Sequence, residues 1–217
     1  MNDASKGFSL VELLAVIAVI SILMATSTSF IPSLFQANQV DANVATLSGI
    51  FEQAREAAIS GNTYVYVVFT GPLTTTPAGG VAVATIQSQD GTDALNNFTF
   101  SGPISAANDL AMLHKTTGLP GVKLLSQSQT ATLITAQFPS LSSSGAAMAS
   151  SSTLTVAAGG VTYTFTQGVM FKPDGEVASS GTWNDMVEFG LQSLRGSPDV
   201  AVMQLTRLTG KLAVSRQ

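Results

Sequence analysis

From Leu13 to Val40 the chain carries no charged residue, and Leu13 to Met24 is almost continuously apolar. No other feature of the 217 residues limits the fold as strongly. Leu13 to about Phe35 is roughly 23 residues, long enough at 1.5 Å per residue to cross a hydrocarbon core of about 30 Å. Three ordinary explanations compete. A secretory signal peptide has a basic start, an apolar core of roughly 7–15 residues and a small-residue cleavage site after that core. A plain signal anchor has the span but no reason for a charge at its edge. A buried core helix usually shows a polar face. Lys6 precedes the span, and Glu12 stands at its head behind Gly7-Phe8-Ser9-Leu10-Val11. A charge costs roughly 2.5–3.5 kcal/mol at the bilayer centre and less toward the interface, so Glu12 needs a partner. A free α-amino group, with an ordinary pKa of about 7.7–8.0, is one if the chain is cut just before Phe8.

The run Lys6-Gly7-Phe8-Ser9-Leu10-Val11-Glu12-Leu13-Leu14-Ala15-Val16-Ile17-Ala18-Val19-Ile20 closely resembles the class III signal of type IV pilins and type II secretion pseudopilins. The resemblance implies a leader, residues 1–7, that a prepilin peptidase removes on the cytoplasmic side. The cut falls between Gly7 and Phe8, the new N-terminal Phe8 is methylated, and Glu12 is the acidic residue that sets assembly. It implies residues 8–35 as a transmembrane and filament-core helix. Lys6 on the cytoplasmic side agrees with the positive-inside rule, although Asp3 stands nearby.

Composition adds bounds. Charged residues are only 10% of the chain, against about a quarter in ordinary soluble domains, and the net charge is −4. There is no cysteine, which excludes disulfides, thiolate metal sites and cysteine nucleophiles. Beyond the span, Val40, Val44, Leu47, Phe51, Ala54 and Ala58 recur at steps of four and three, one face of an amphipathic helix over residues 36–61. Asp41, Glu52, Arg55 and Glu56 lie off that face, and Gly61-Asn62 supplies a stop. Phe8 to Ser60 thus reads as one helix of roughly 53 residues, about 80 Å long, kinked at Pro32.

Residues 62–217 read as a β-rich head. Strands are expected at 63–69, 81–87, 122–125, 132–138, 153–157, 161–166, 169–172, 186–192, 200–208 and 211–215. Ala158-Gly159-Gly160 and Thr209-Gly210 join hairpins, and Pro173-Asp174-Gly175 makes a turn. The Ser/Ala/Gly-rich stretch 139–152 has little to bury and reads as a mobile loop. The fold class is α+β: a long N-terminal helix packed on an antiparallel β-rich domain, the plan of pilins. Gln53-Ala54-Arg55-Glu56-Ala57-Ala58-Ile59 with Val65-Tyr66-Val67, and Phe171-Lys172-Pro173-Asp174-Gly175 with Thr209-Gly210-Lys211, look like H-type minor pseudopilins and their FimT-like relatives. Residues 70–166 carry no such resemblance.

Catalytic chemistry finds little footing. No HExxH, nucleophile elbow or Walker A pattern occurs, and the one histidine, His114, falls in a loop-like stretch. Asp90, Asp93 and Asn96 suggest calcium, but turn chemistry at Asp90-Gly91 accounts for them, and no metal or other cofactor is expected. Arg207, Lys211 and Arg216 make the C-terminal end basic, a candidate nucleic-acid contact; a solvated hairpin face is the preferred explanation. The expected function is therefore that of a structural subunit and not an enzyme. Membrane lipid, the peptidase, an inner-membrane assembly platform and other pilins are the expected partners. The subunit enters a type II secretion pseudopilus or a type IV pilus-like filament from the bacterial inner membrane, its head exported to the periplasm. The rival is a DNA-binding minor pilin of a natural-transformation system.

Overall fold

The computed structural model describes residues 9–27, 39–71, 79–95, 98, 101–141, 145–149, 153–158, 161–178, 185–194 and 199–216. The chain divides into two compact units, Met1–Asn38 and Gln39–Gln217. In the first, helix α1 runs Leu10–Ser27. Its large side chains from Leu10 to Met24 are exposed on every side, so no other described residue of that unit covers them. Among the described residues no helix is long and apolar enough to cross a membrane. At 18 residues α1 is about 27 Å long. The remainder of the expected span, the kink at Pro32 and the continuity of one helix from Phe8 to Ser60 lie outside the described residues.

The second unit begins with helix α2, Gln39–Gly61, and all six residues of its apolar repeat are buried. Gly61-Asn62 ends it as the composition suggests. Asn62 takes the left-handed conformation at φ 46°. The Asn62 amide donates to the Ile59 carbonyl and the Thr63 amide to that of Ala58, a Schellman motif.

Twelve strands follow among the described residues. They are β1 Val65–Thr70, β2 Gly80–Ser88, β3 Gly102–Pro103, β4 Leu110–Met112, β5 Thr117–Pro120, β6 Val122–Leu125, β7 Leu154–Ala158, β8 Val161–Phe171, β9 Val177–Ala178, β10 Met186–Ser193, β11 Val200–Thr206 and β12 Leu212–Arg216. A larger sheet runs β3-β7-β8-β1-β2-β4, with β5 also on β2 and β9 on β8. A smaller sheet runs β12-β11-β10-β6. Pairing is antiparallel except between β3 and β7.

The strand period of two divides the core. On β1, Val65, Val67 and Phe69 join the cluster around α2, whereas Tyr66 and Val68 join a second one with Leu95, Phe98, Leu110 and Leu154. On β10, Val187, Phe189 and Leu191 also join the α2 cluster. Phe51 of α2 therefore meets both sheets, its ring centroid 6.2 Å from Phe69, 6.2 Å from Phe171 and 5.6 Å from Phe189.

Three expectations need correction. Residues 132–137 are helical, not a strand, with Phe138 as the C-cap: helix α3 spans Gln127–Gln137 behind a complete Ser126/Gln129 capping box, and buries Thr130 and Ile134 one turn apart. The stretch 139–152 is not simply a loop with nothing to bury. Ala146, Met148 and Ala149 are buried, and Ala146 and Ala149 form bridges to Val187 and Gly168. His114 is exposed as expected, but it sits between two strands, β4 and β5, instead of in an unbroken loop.

Candidate functional site

The described part of the N-terminal site starts at Ser9, so Gly7 and Phe8 lie outside it. Ser9 is the N-cap of α1 and Glu12 its third helical residue. The first amides of a helix have no partner within it, and a carboxylate one turn in can reach back to one. Here the Ser9 amide donates to Glu12 Oε2 at 3.1 Å, and the Leu13 amide closes the first turn on the Ser9 carbonyl at 3.2 Å. This is half of a capping box. The negative carboxylate also suits the positive end of the helix dipole. The Ser9-Leu10-Val11-Glu12 spacing is the sequence signature of such a cap. Ser9, Glu12 and the rest of α1 through Met24 are exposed. The site is thus one fixed carboxylate at the start of a helix that is apolar all round.

Residues 2–28 match the family model described as the prokaryotic N-terminal methylation motif. The chain carries a prepilin-type leader. The motif is consistent with the type IV pilin and pseudopilin family and supports a type IV pilin-like precursor. A leader of this kind implies processing by prepilin peptidase and assembly with other pilins, and points to a structural subunit in preference to an enzyme. No curated protein and no solved structure matches the chain.

The β-rich head brings together three stretches that are far apart in sequence. Gly175 and Gly210 both need the left-handed conformation, at φ 82° and 61°. A Cβ on Gly175 would press on Ile59 Cδ1 at 3.0 Å and touch Arg55 Nε at 3.6 Å, and one on Gly210 would press on Arg55 Cδ at 2.8 Å. The Pro173-Asp174-Gly175 turn and the Thr209-Gly210 turn thus close on one helix position, which gives both glycines a packing reason as well as a turn reason.

The basic C-terminal residues differ in exposure and pairing. Arg216 pairs with Asp41 at the start of α2, which offsets its charge. Arg207 is half-buried, while Lys211 is exposed. The Arg216–Asp41 pair is itself half in solvent, with side-chain exposures of 45% and 56%. Exposed pairs contribute about 0–1 kcal/mol. Arg216→Ala is therefore expected to change head stability by less than about 1 kcal/mol in a denaturant titration; a loss of several kcal/mol would show that the pair fastens β12 to α2.

Asp90 behaves as a turn residue. Its Oδ1 accepts from the Thr92 amide at 2.9 Å and the Ser88 hydroxyl at 2.7 Å. These bonds, the Thr92 amide foremost, hold its carboxyl below the usual range. Asp93 accepts from the Tyr66 hydroxyl at 2.7 Å. Burial first, then Asp93, pushes the Tyr66 hydroxyl well above the usual tyrosine range. Both aspartates therefore have structural tasks, and Asn96 lies outside the described residues. Among the described residues no group of three or more His, Cys, Asp or Glu is arranged to hold a metal ion.

Proposed function

We propose that this chain is a minor pseudopilin-like subunit. Prepilin peptidase cuts between Gly7 and Phe8 and methylates Phe8. Residues 8–35 then hold the protein in the bacterial inner membrane as a single pass, with the leader cytoplasmic and the head periplasmic. An inner-membrane assembly platform draws it, with other pilins, into a type II secretion pseudopilus or type IV pilus-like filament. The methylation motif at residues 2–28 carries this reading. Supporting it, α1 is apolar on every face, as suits a helix surrounded by lipid or by other helices. The resemblance of the head segments to H-type minor pseudopilins supports the subtype. The tip subunits of that family tend to lack the acidic residue, so Glu12 argues for a place below the tip.

Mass spectrometry of the membrane-extracted protein tests the processing step. The expected N-terminus is Phe8 carrying one methyl group. An intact Met1, or a cut beyond the apolar stretch, would remove the basis of the reading.

The alternative is a DNA-binding minor pilin. It rests on Arg207, Lys211 and Arg216, of which Arg216 already has Asp41 as a partner. Salt-dependent binding of duplex DNA by the head, lost on Lys211→Ala, would favour it.

A further inference from the structure

Glu188 lies mid-strand on β10 and is 1% exposed. Alternation along the strand turns it away from α2, onto the face of the smaller sheet where Ile134 and Phe138 pack against Val202. Its Oε1 accepts from Gln204 Nε2 on β11 at 2.8 Å. Its Oε2 is buried without a hydrogen-bond partner. A carboxylate in that setting loses its hydration, and Gln204 and the Gly145 amide return only part of what is lost.

What covers Glu188 is the segment Gly145–Ala149. Strand β6 pairs with β10 only from Gly190 to Ser193. The segment fills the rest of that edge: the Ala146 amide donates to the Met186 carbonyl at 2.8 Å, and the Glu188 amide to the Ala146 carbonyl at 2.9 Å. Its other end reaches the larger sheet, where Ala149 and Gly168 exchange amide-to-carbonyl bonds of 2.9 and 3.0 Å. Gln127 of α3 donates to the Gly145 carbonyl at 2.8 Å. The segment is therefore a strap that joins both sheets. It rests directly on the acid: a Cβ at Gly145 would lie 2.0 Å from Glu188 Cγ and 2.2 Å from Cδ. No space is left between strap and carboxyl for a hydration shell.

Countercharge is lacking as well. Helix α3, the strap and β11 carry no charged residue, and β6 carries Lys123 alone. Lys123 is opposite Gln192, four residues along β10 from Glu188, roughly 13 Å at about 3.3 Å per residue.

We infer that Glu188 is a proton-operated latch: with its carboxyl protonated the strap Gly145–Ala149 closes over it and stitches the two sheets together, and ionisation of Glu188 releases the strap. The direction follows from linkage. Burial raises the Glu188 pKa, opposed in part by Gln204 and the Gly145 amide. With the strap open the carboxyl is an ordinary glutamate. Closure is therefore fully favoured below the ordinary glutamate value. It weakens as pH rises from there through the raised value, by up to about tenfold in the closed-to-open ratio per pH unit. The latch lies wholly within the unit from Gln39 and does not depend on filament entry.

The test uses the full chain in detergent micelles. Carboxyl ¹³C NMR follows Glu188, and hydrogen exchange, corrected for the intrinsic pH dependence, follows the Ala146 and Ala149 amides. The β10–β11 amides serve as the reference. The expected result is a Glu188 midpoint above the ordinary glutamate range, with strap protection lost progressively as pH rises through that midpoint in the wild type. Glu188→Gln should keep the strap protected on both sides of that midpoint. Gly145→Ala, which pushes the strap off the acid, should return Glu188 to an ordinary midpoint and serves if Glu188→Gln misfolds. An ordinary midpoint in the wild type, or the same loss of protection in wild type and Glu188→Gln, overturns the latch.

Discussion

Phe51→Ala is expected to destabilise the head by about 3–5 kcal/mol, the usual cost of truncating a buried phenylalanine. Phe51 is 1% exposed and its ring meets Phe69, Phe171 and Phe189 within 5.6–6.2 Å. Those partners stand on β1, β8 and β10, so one truncation opens a cavity where α2 and both sheets meet. Domains of this size are typically stable by only 5–15 kcal/mol, so the loss is a large part of the whole. A fragment starting at Gln39 should fold in water without the apolar N-terminus. In it the variant should unfold on the order of 10 °C lower than the wild type, followed by circular dichroism. A shift of only a degree or two would mean that the aromatic cluster repacks around the gap. A fragment that is unfolded even as wild type would mean that the head needs residues before Gln39.

The parts of the second unit that sequence made most legible are those with a local signal. The α2 face is a run of apolar residues at helical spacing, and all six are buried. The hairpin of β7 and β8 and the terminal pair of β11 and β12 follow from apolar runs around glycine turns. The illegible parts depend on contacts from elsewhere in the chain. Residues 132–138 are rich in β-branched side chains, but the Ser126 cap and the packing of Ile134 and Phe138 against Val202 make them a helix and its end. The strap 145–149 lies in a Ser/Ala/Gly-rich stretch with little to bury, yet small residues are what let a backbone approach Glu188.

Glu188 shows the limit most directly. Alternation along Val187-Glu188-Phe189-Gly190-Leu191 puts it on the face away from α2, and that much was readable. Burial came from the strap, which packs over Glu188 and has no local signature on β10. At the N-terminal site the balance is reversed. The motif carries the identification, and geometry adds one fact: Glu12 already has a partner in its own helix, the Ser9 amide.

That fact sharpens what Glu12 substitutions should do. Glu12 has one observed task, capping α1 through the Ser9 amide, and one proposed task, attracting the amine that processing would create at Phe8. Glu12→Ala removes both. Processing should persist, since Gly7 and the apolar stretch are unchanged, and so should membrane insertion. Incorporation into filaments should fall at least tenfold. An N-cap contact alone is worth about 0.5–2 kcal/mol, so fraying of the first turn adds to the loss. Glu12→Gln keeps the cap, because glutamine serves as well as glutamate in a capping box, but it cannot form an ion pair. If the ionic attraction sets assembly, Glu12→Gln should fail nearly as badly as Glu12→Ala, because the amine of Phe8 is left among apolar helices with no opposite charge. If instead the glutamine variant assembles like the wild type while the alanine variant does not, the helix cap and not the charge is the determinant. Crosslinking to sibling pilins in vivo, with processing checked by mass, reads all three proteins in one experiment, and wild-type incorporation of both variants would remove Glu12 from the assembly step.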